Sequence, residues 1–309
     1  MATNHAVVVA GAPRSGTTWV AEILSAAPRT SYCHEPDNHS LWPLALLAKE
    51  GLGRQPALDM FEQSDRHDRV WNLALGCADN TENPGWALRK AALRSVSPEV
   101  TSDILAGTTT RATRIAKMAL AGAPVPRPQP IFGPVVAKTV HAGFCLERVA
   151  ATAGGPVVVV VRNPRNGIAS WLDLGWDVHR FESDTRVRER VLPWLGVTPP
   201  PAGDHTVDTA WTYGLLDASL RKMAFQNPEW MIVEHEDLSE NPIDGFRAMF
   251  EHSNLEWTPE IEQKIADGDK QGTGYKTTRV RADLRHAWKS RLDDAQIDKI
   301  EEVLQQFRL

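Results

Sequence analysis

Five consecutive valines, Val157 to Val161, constrain this 309-residue chain more than any other stretch. A half-exposed strand alternates apolar and polar side chains, whereas an unbroken β-branched run suits a strand covered on both faces. The valines lie in PVVVVVR (156–162), and HAVVVAG (5–11), PVVAKTV (134–140) and WMIVEHE (230–236) read as strands in the same way. Segments with helical patterning separate them, notably at 17–26, 142–153, 164–174, 207–226, 240–252 and 293–307. That alternation predicts an α/β fold with a central parallel sheet flanked by helices. Residues 37–120 are mostly helical in pattern and are expected to form a cap over the sheet edge, within an acceptor-side insertion of about 37–130. Pro-rich stretches at 121–134 and 196–204 read as surface loops inside one domain spanning 1–309.

Composition narrows the partners. A 42% hydrophobic content is ample for a core, and a net charge of -5 argues against general binding of nucleic acid or an anionic membrane. Any anionic ligand must therefore be met by local cations. Cys33, Cys77 and Cys145 form no Cys-x-x-Cys pair, and their odd number fits structural thiols in a reducing compartment. No run of about 18 apolar residues is present, so no transmembrane segment is expected. The amino terminus lacks a basic region and its apolar run is broken by Pro13 and Arg14, so it does not read as a secretory signal. A cytoplasmic location is the expectation.

The segment AVVVAGAPRSGTTWVAEIL, residues 6–24, runs from the first strand through a glycine loop into a helix. Gly11, four residues, Gly16 and two threonines nearly reproduce the Gly-x-x-x-x-Gly-Lys-Ser/Thr loop that cradles nucleotide phosphates. Thr17 holds the lysine's place, and a cation, Arg14, sits inside the loop instead. Beyond the carboxyl ends of parallel strands, a helix amino terminus offers free N–H groups and a positive dipole end to an anion. Gly11 and Gly16 permit close backbone approach, Ser15, Thr17 and Thr18 add hydroxyl donors, and Arg14 adds charge. Without the lysine, the loop suits a donor with few phosphates better than ATP. A strand-to-helix turn with no ligand is the simpler reading of this loop alone.

A second constellation changes the balance. In VVVVVRNPRNGIASW, residues 157–171, Arg162 ends an apolar strand, Pro164 opens a helix and Ser170 follows two turns into it. Such an arginine and serine can converge on one anion. Two strand-loop-helix units, each armed for an anion, are harder to dismiss than either alone.

Together these residues resemble a known family. PRSGTTW (13–19) is similar to the 5′-phosphosulfate loop of sulfotransferases that use 3′-phosphoadenosine 5′-phosphosulfate (PAPS), and Arg162 with Ser170 matches their 3′-phosphate site in type and spacing. HEDLSENP (235–242) resembles the segment after the next core strand, and RADLRHAWKSRL (281–292) is a loose version of the carboxyl-terminal loop over the nucleotide. The resemblance runs from residue 6 to about 292, with 37–130 unmatched. It implies a P-loop NTPase-like sulfotransferase fold, PAPS as co-substrate and no metal, in a style nearest to carbohydrate and bacterial members. By the same likeness, Pro13 to Thr18 hold the phosphosulfate, Arg14 stabilises charge on the bridging oxygen as the S–O bond breaks, and Trp19 packs against adenine. His235 stands where cytosolic small-molecule members usually have a tyrosine beside adenine. In the carboxyl-terminal loop the usual Arg-Lys-Gly is replaced by Arg281, Ala282 and Asp283, leaving Arg281 as the direct match to a 3′-phosphate ligand. Compensation is available nearby, since Lys270 to Arg291 holds seven Lys/Arg against one acid, Asp283.

Sulfuryl transfer needs a base for the attacking hydroxyl. Glu35, in SYCHEPDN, resembles the Glu-Pro acid of carbohydrate-modifying members. His141, in AKTVHAGF, lies one residue beyond the base histidine of cytosolic members, and a one-residue shift at a strand end turns a side chain to the other face. Glu35 is therefore favoured, and Lys138 sits at the matched lysine, where it can help bind the sulfonate. Two other classes stay open: a P-loop kinase, which needs Mg²⁺ and the missing lysine, and a catalytically silent nucleotide-binding protein. The acceptor, a hydroxylated carbohydrate, lipid or small molecule, cannot be read from the variable residues 37–130 and 176–206.

Overall fold

A computed structural model describes residues 6–59, 62, 64–76, 84–123, 133–176, 178–267 and 284–307. Its five strands are β1 (Ala6–Ala10), β2 (Ser31–His34), β3 (Val135–Thr139), β4 (Val157–Val161) and β5 (Met231–Glu234). They form one parallel sheet in the order β2-β3-β1-β4-β5. Every residue of β1, β3 and β4 is buried, as the valine runs require.

The helices are α1 (Thr17–Leu24), α2 (Pro43–Ala48), α3 (Asp65–Leu75), α4 (Pro84–Arg94), α5 (Pro98–Leu105), α6 (Arg111–Ala121) and α7 (Leu146–Ala153). They continue as α8 (Pro164–Asp173), α9 (Leu192–Leu195), α10 (His205–Gln226), α11 (His235–Glu240), α12 (Pro242–His252), α13 (Pro259–Asp267) and α14 (Asp294–Leu304). Alternate valines feed two cores. Val157, Val159 and Val161 pack with α7, α8, α10 and α14 on one face, and Val158 and Val160 with α1, α12 and α13 on the other. Burying a valine side chain fully is worth roughly 1.5–3 kcal/mol, so this strand alone anchors both layers. Helix α10 is buried on nearly every side, which explains its lack of an apolar stripe. No described helix is long and apolar enough to cross a membrane.

Two differences from the sequence reading have simple causes. Strand β2 escaped it because Ser-Tyr-Cys-His carries neither alternation nor an apolar run, and only Cys33 is buried. The helix expected over 240–252 is two helices, since Asn241 is non-helical and Pro242 opens α12. The cap appears as α2 to α6, with a small core of Leu46, Ile104, Leu105 and Leu120. Trp71 of α3, fully buried, belongs to the sheet core and joins cap to sheet.

Candidate active site

The carboxyl ends of β1, β2, β3 and β4 point the same way, so the loops after them share one rim. After β1 the chain turns through Gly11 to Gly16 into α1, with Ser15 N–H bonded to the Ala12 carbonyl at 3.1 Å. A Cβ at Gly11 would lie 2.4 Å from both Ser15 Oγ and the Val160 carbonyl, and one at Gly16 would lie 2.3 Å from His235 Cδ2. Gly16 also has φ +101°, so glycine is needed there on two counts. No side chain caps α1, which leaves the N–H groups of its first turn for a ligand. Among the described residues Ser15 Oγ, buried under Gly11, has no hydrogen-bond partner; Thr17 is buried and Thr18 exposed.

Arg14 has φ +71°, a strained value for a side chain-bearing residue. Its Nε donates to Ser170 Oγ at 3.2 Å, and its carbonyl accepts from Arg162 Nη1 at 2.8 Å. Trp171, beside Ser170 on α8, donates from Nε1 to the Pro13 carbonyl at 3.0 Å. The loop and the Arg162–Ser170 unit, 148 residues apart in sequence at Arg14 and Arg162, are thus one hydrogen-bonded assembly. Burial depresses the Arg162 guanidinium's pKa from its usual range, because a charged group is disfavoured away from water.

The second cluster lies at the ends of β2 and β3. Glu35 follows β2 with φ +44°, and its N–H bonds to the Lys138 carbonyl at 2.8 Å. Its carboxylate pairs directly with the Lys138 ammonium, accepts from Asn38 Nδ2 at 2.6 Å and stands 3.9 Å from His141 Nε2. Both candidate bases therefore occupy one site. Burial alone would raise the Glu35 pKa, but the charge and hydrogen bond of Lys138, then Asn38 and His34, hold it below the usual carboxylate range. Burial, with the charge of Lys49 next, drives His141 well below 6.5, so its imidazole is neutral at neutral pH. Among the described residues, no hydrogen bond or ion pair joins Arg14 to Glu35 or Lys138; the arginine is turned toward Ser170.

Around the aromatic end, Trp19 meets Phe246 edge-on at 4.9 Å and His235 at 6.3 Å. His235 is buried against Gly16, where its ring shapes the start of α1. Arg281 lies outside the described residues, as does Cys77.

Sequence reasoning missed a layer beneath Glu35. Asp37 is buried and accepts from Thr139 Oγ1 at 2.7 Å, while the His141 N–H donates to the same hydroxyl at 2.9 Å. Lys49, also buried, donates to the Arg54 carbonyl at 2.9 Å, and His39 meets His141 edge-on at 5.8 Å. Burial brings the His39 pKa down to about 3. The dense polar run HEPDNH, residues 34–39, was the available signal.

A family model described as the sulfotransferase family matches residues 6–259. The chain belongs to the sulfotransferase family. Among solved structures it is similar to the sulfotransferase domain from the curacin biosynthetic pathway, at 16% identity over 99% of this chain and 98% of that one, with TM-score 0.40. It is similar to the sulfotransferase STF9 of Mycobacterium avium at 13% identity, 100% and 78% coverage and TM-score 0.46. The sulfotransferase STF1 of Mycobacterium tuberculosis follows at 16% identity, 99% and 77% coverage and TM-score 0.45. No curated protein matched. In this sulfotransferase, the glycine turn after β1 and the arginine-serine unit after β4 lie together at the carboxyl-end rim of the parallel sheet.

Proposed function

We propose that this sulfotransferase moves the sulfuryl group of PAPS to a hydroxyl of a carbohydrate, glycolipid or small-molecule alcohol, releasing adenosine 3′,5′-bisphosphate. The observation that carries the reading is the wiring of two cationic subsites through Arg14, bonded at once to Ser170 and Arg162. A donor with separate 5′ and 3′ anions needs two such subsites; a triphosphate needs one deep cradle. The residues fit the donor: Gly11 and Gly16 leave no room for Cβ atoms, α1 keeps uncapped N–H groups, and Ser15 Oγ is an orphaned buried hydroxyl.

The donor supplies an activated S–O bond. Arg14 and the α1 N–H groups hold the phosphosulfate and meet negative charge on the bridging oxygen, while Arg162 and Ser170 hold the 3′-phosphate. The acceptor oxygen forms its bond to sulfur as the bond from sulfur to the bridging oxygen breaks, and the acceptor's proton passes to Glu35. Lys138 keeps Glu35 ionised before the reaction and is placed to meet a sulfonate oxygen during it. His141 stays neutral beside them. Mg²⁺ has no assigned part, because protein cations and N–H groups meet the donor's charge. The helical cap α2 to α6 and the segment 178–204, which carries α9, are assigned to the acceptor pocket. Cys33 and Cys145 are both buried, in keeping with the structural role expected of thiols in a reducing cytoplasm.

The test is an acceptor screen with sulfur-labelled PAPS, run with and without EDTA. Label should reach a hydroxylated acceptor equally in both. Transfer from ATP instead, dependent on Mg²⁺, identifies a kinase, and bisphosphate binding with no acceptor labelled identifies a silent binder.

A further inference from the structure

Glu236, the second residue of α11, is 2% exposed and has no part in the reaction described above. Its Oε2 accepts the main-chain N–H of Asn163 at 3.1 Å, and its Oε1 accepts the Asn166 side-chain amide at 2.9 Å. The same Oε1 stands 3.7 Å from Arg162 Nε. Arg162 and Asn163 join β4 to α8, and Asn166 lies in the first turn of α8. A buried carboxylate is costly unless its charge and lone pairs are met, and removing such a group leaves its donors stranded.

These contacts fix Arg162 from two sides. Nη1 is held by the Arg14 carbonyl; among the described residues neither Nε nor Nη2 makes a hydrogen bond, and Nε is ion-paired with Glu236 across 3.7 Å. A guanidinium is a rigid planar fork, so one hydrogen bond at Nη1 and the charge of Glu236 along the Nε edge together set the direction of Nη2. Asn166 carries the restraint onward, accepting the Trp288 N–H on Oδ1 at 3.0 Å and donating to the Arg285 carbonyl at 3.3 Å. Four segments, β4, α8, α11 and the 3-10 turn Leu284–Ser290, are thereby tied behind Arg162.

We propose that Glu236 is the positioning residue of the 3′-phosphate site. It aims the Nη2 edge of Arg162 at the anion, so recognition of the 3′-phosphate depends on it and recognition of the rest of the nucleotide does not. The inference rests on the PAPS reading of the donor site. It adds that selectivity for a 3′-phosphate comes from a buried acid on α11 as well as from the cations.

Titration calorimetry on the full chain tests it, with adenosine 3′,5′-bisphosphate and AMP as the two probes. In Glu236→Gln, bisphosphate affinity should fall about tenfold or more while AMP affinity changes less than about twofold, as expected when a hydrogen bond to a charged group is misaligned. Glu236→Asp, which keeps the charge but withdraws it, should show the same selective loss if the amide variant does not fold. In an Arg162→Ala background, Glu236→Gln should lower the bisphosphate preference no further. Equal weakening of both ligands would make Glu236 merely structural, and tighter bisphosphate binding would make it only a counter-charge; either overturns the proposal. A wild-type protein with no preference for bisphosphate over AMP overturns the donor reading itself, and with it any site for Glu236 to position.

Discussion

Arg14 Nε donates a hydrogen bond to Ser170 Oγ at 3.2 Å, joining the loop after β1 to the helix after β4. In the proposed PAPS site the two residues serve different anions, so each subsite would help to place the other. Arg14 is turned toward Ser170, and in the proposed reaction its charge answers the negative charge that builds on the leaving oxygen. Its contribution should therefore be larger in the transition state than in the bound donor.

Arg14→Ala should slow transfer about a hundredfold or more, roughly 2.7–4 kcal/mol, with a smaller change in donor affinity. Arg162→Ala should do the reverse, weakening bisphosphate binding with less effect on the rate at saturating donor. Parallel measurement of kcat and bisphosphate Kd separates them, and equal losses of both quantities in both variants would contradict the division.

Glu35→Gln should abolish most turnover, about 10²–10⁴-fold, and leave bisphosphate affinity nearly unchanged. His141→Ala should cost less, because its neutral ring stands beside the carboxylate at 3.9 Å without a hydrogen bond to it. Single-turnover rates of the two variants decide the point. A dead His141→Ala beside an active Glu35→Gln assigns the proton to the histidine.

The pH dependence offers an independent check. Lys138 holds the Glu35 pKa below 4.5, so a Glu35 base is already deprotonated from neutral pH down to about pH 5.5. kcat/KM should thus stay level over that interval. A decline centred near pH 6.5 would point to an ordinary histidine, which neither Glu35 nor the strongly depressed His141 can be.

What the sequence disclosed and what it hid follow from how far each residue's role is local. The valine runs of β1, β3 and β4 announce themselves, because burial on both faces leaves no polar side chain among them except Lys138 and Thr139 at the carboxyl end of β3. The glycine loop and the Arg162–Ser170 spacing are also local patterns, and the structure brings them together. β2 is short, polar and at the sheet edge, so nothing in four residues marks it. The pairing of Glu35 with Lys138 spans 103 residues, and the parallel register of β2 on β3, with His34 opposite Lys138, creates it. Lys49 and Glu236 were invisible for the same reason, and Asp37 showed only as part of a polar run: their partners come from other segments, and their burial is a property of the folded chain.

Three buried imidazoles should govern acid stability. Burial lowers the pKa of His39 to about 3 and of His67 to about 4, and drives His141 well below 6.5. Between pH 6.5 and these values the unfolded chain binds protons that the folded chain does not, so stability is full above pH 6.5 and declines as pH falls. Each group can contribute up to about 1.4 kcal/mol per pH unit in that window. Urea unfolding at pH 7, 6 and 5 should show the decline, and His67→Gln should flatten it by up to one proton. Parallel curves for wild type and variant would remove His67 from the account.

The central claim, two joined anion subsites built for a 3′-phosphorylated donor, is tested most directly by calorimetry with adenosine 3′,5′-bisphosphate, AMP and ATP, each with EDTA and with Mg²⁺. The bisphosphate should bind at least about tenfold more tightly than AMP or ATP, equally well in EDTA, since its 3′-phosphate gains charge-assisted bonds from Arg162 and Ser170. Tighter binding of ATP with Mg²⁺ would contradict the account and make this site a triphosphate cradle.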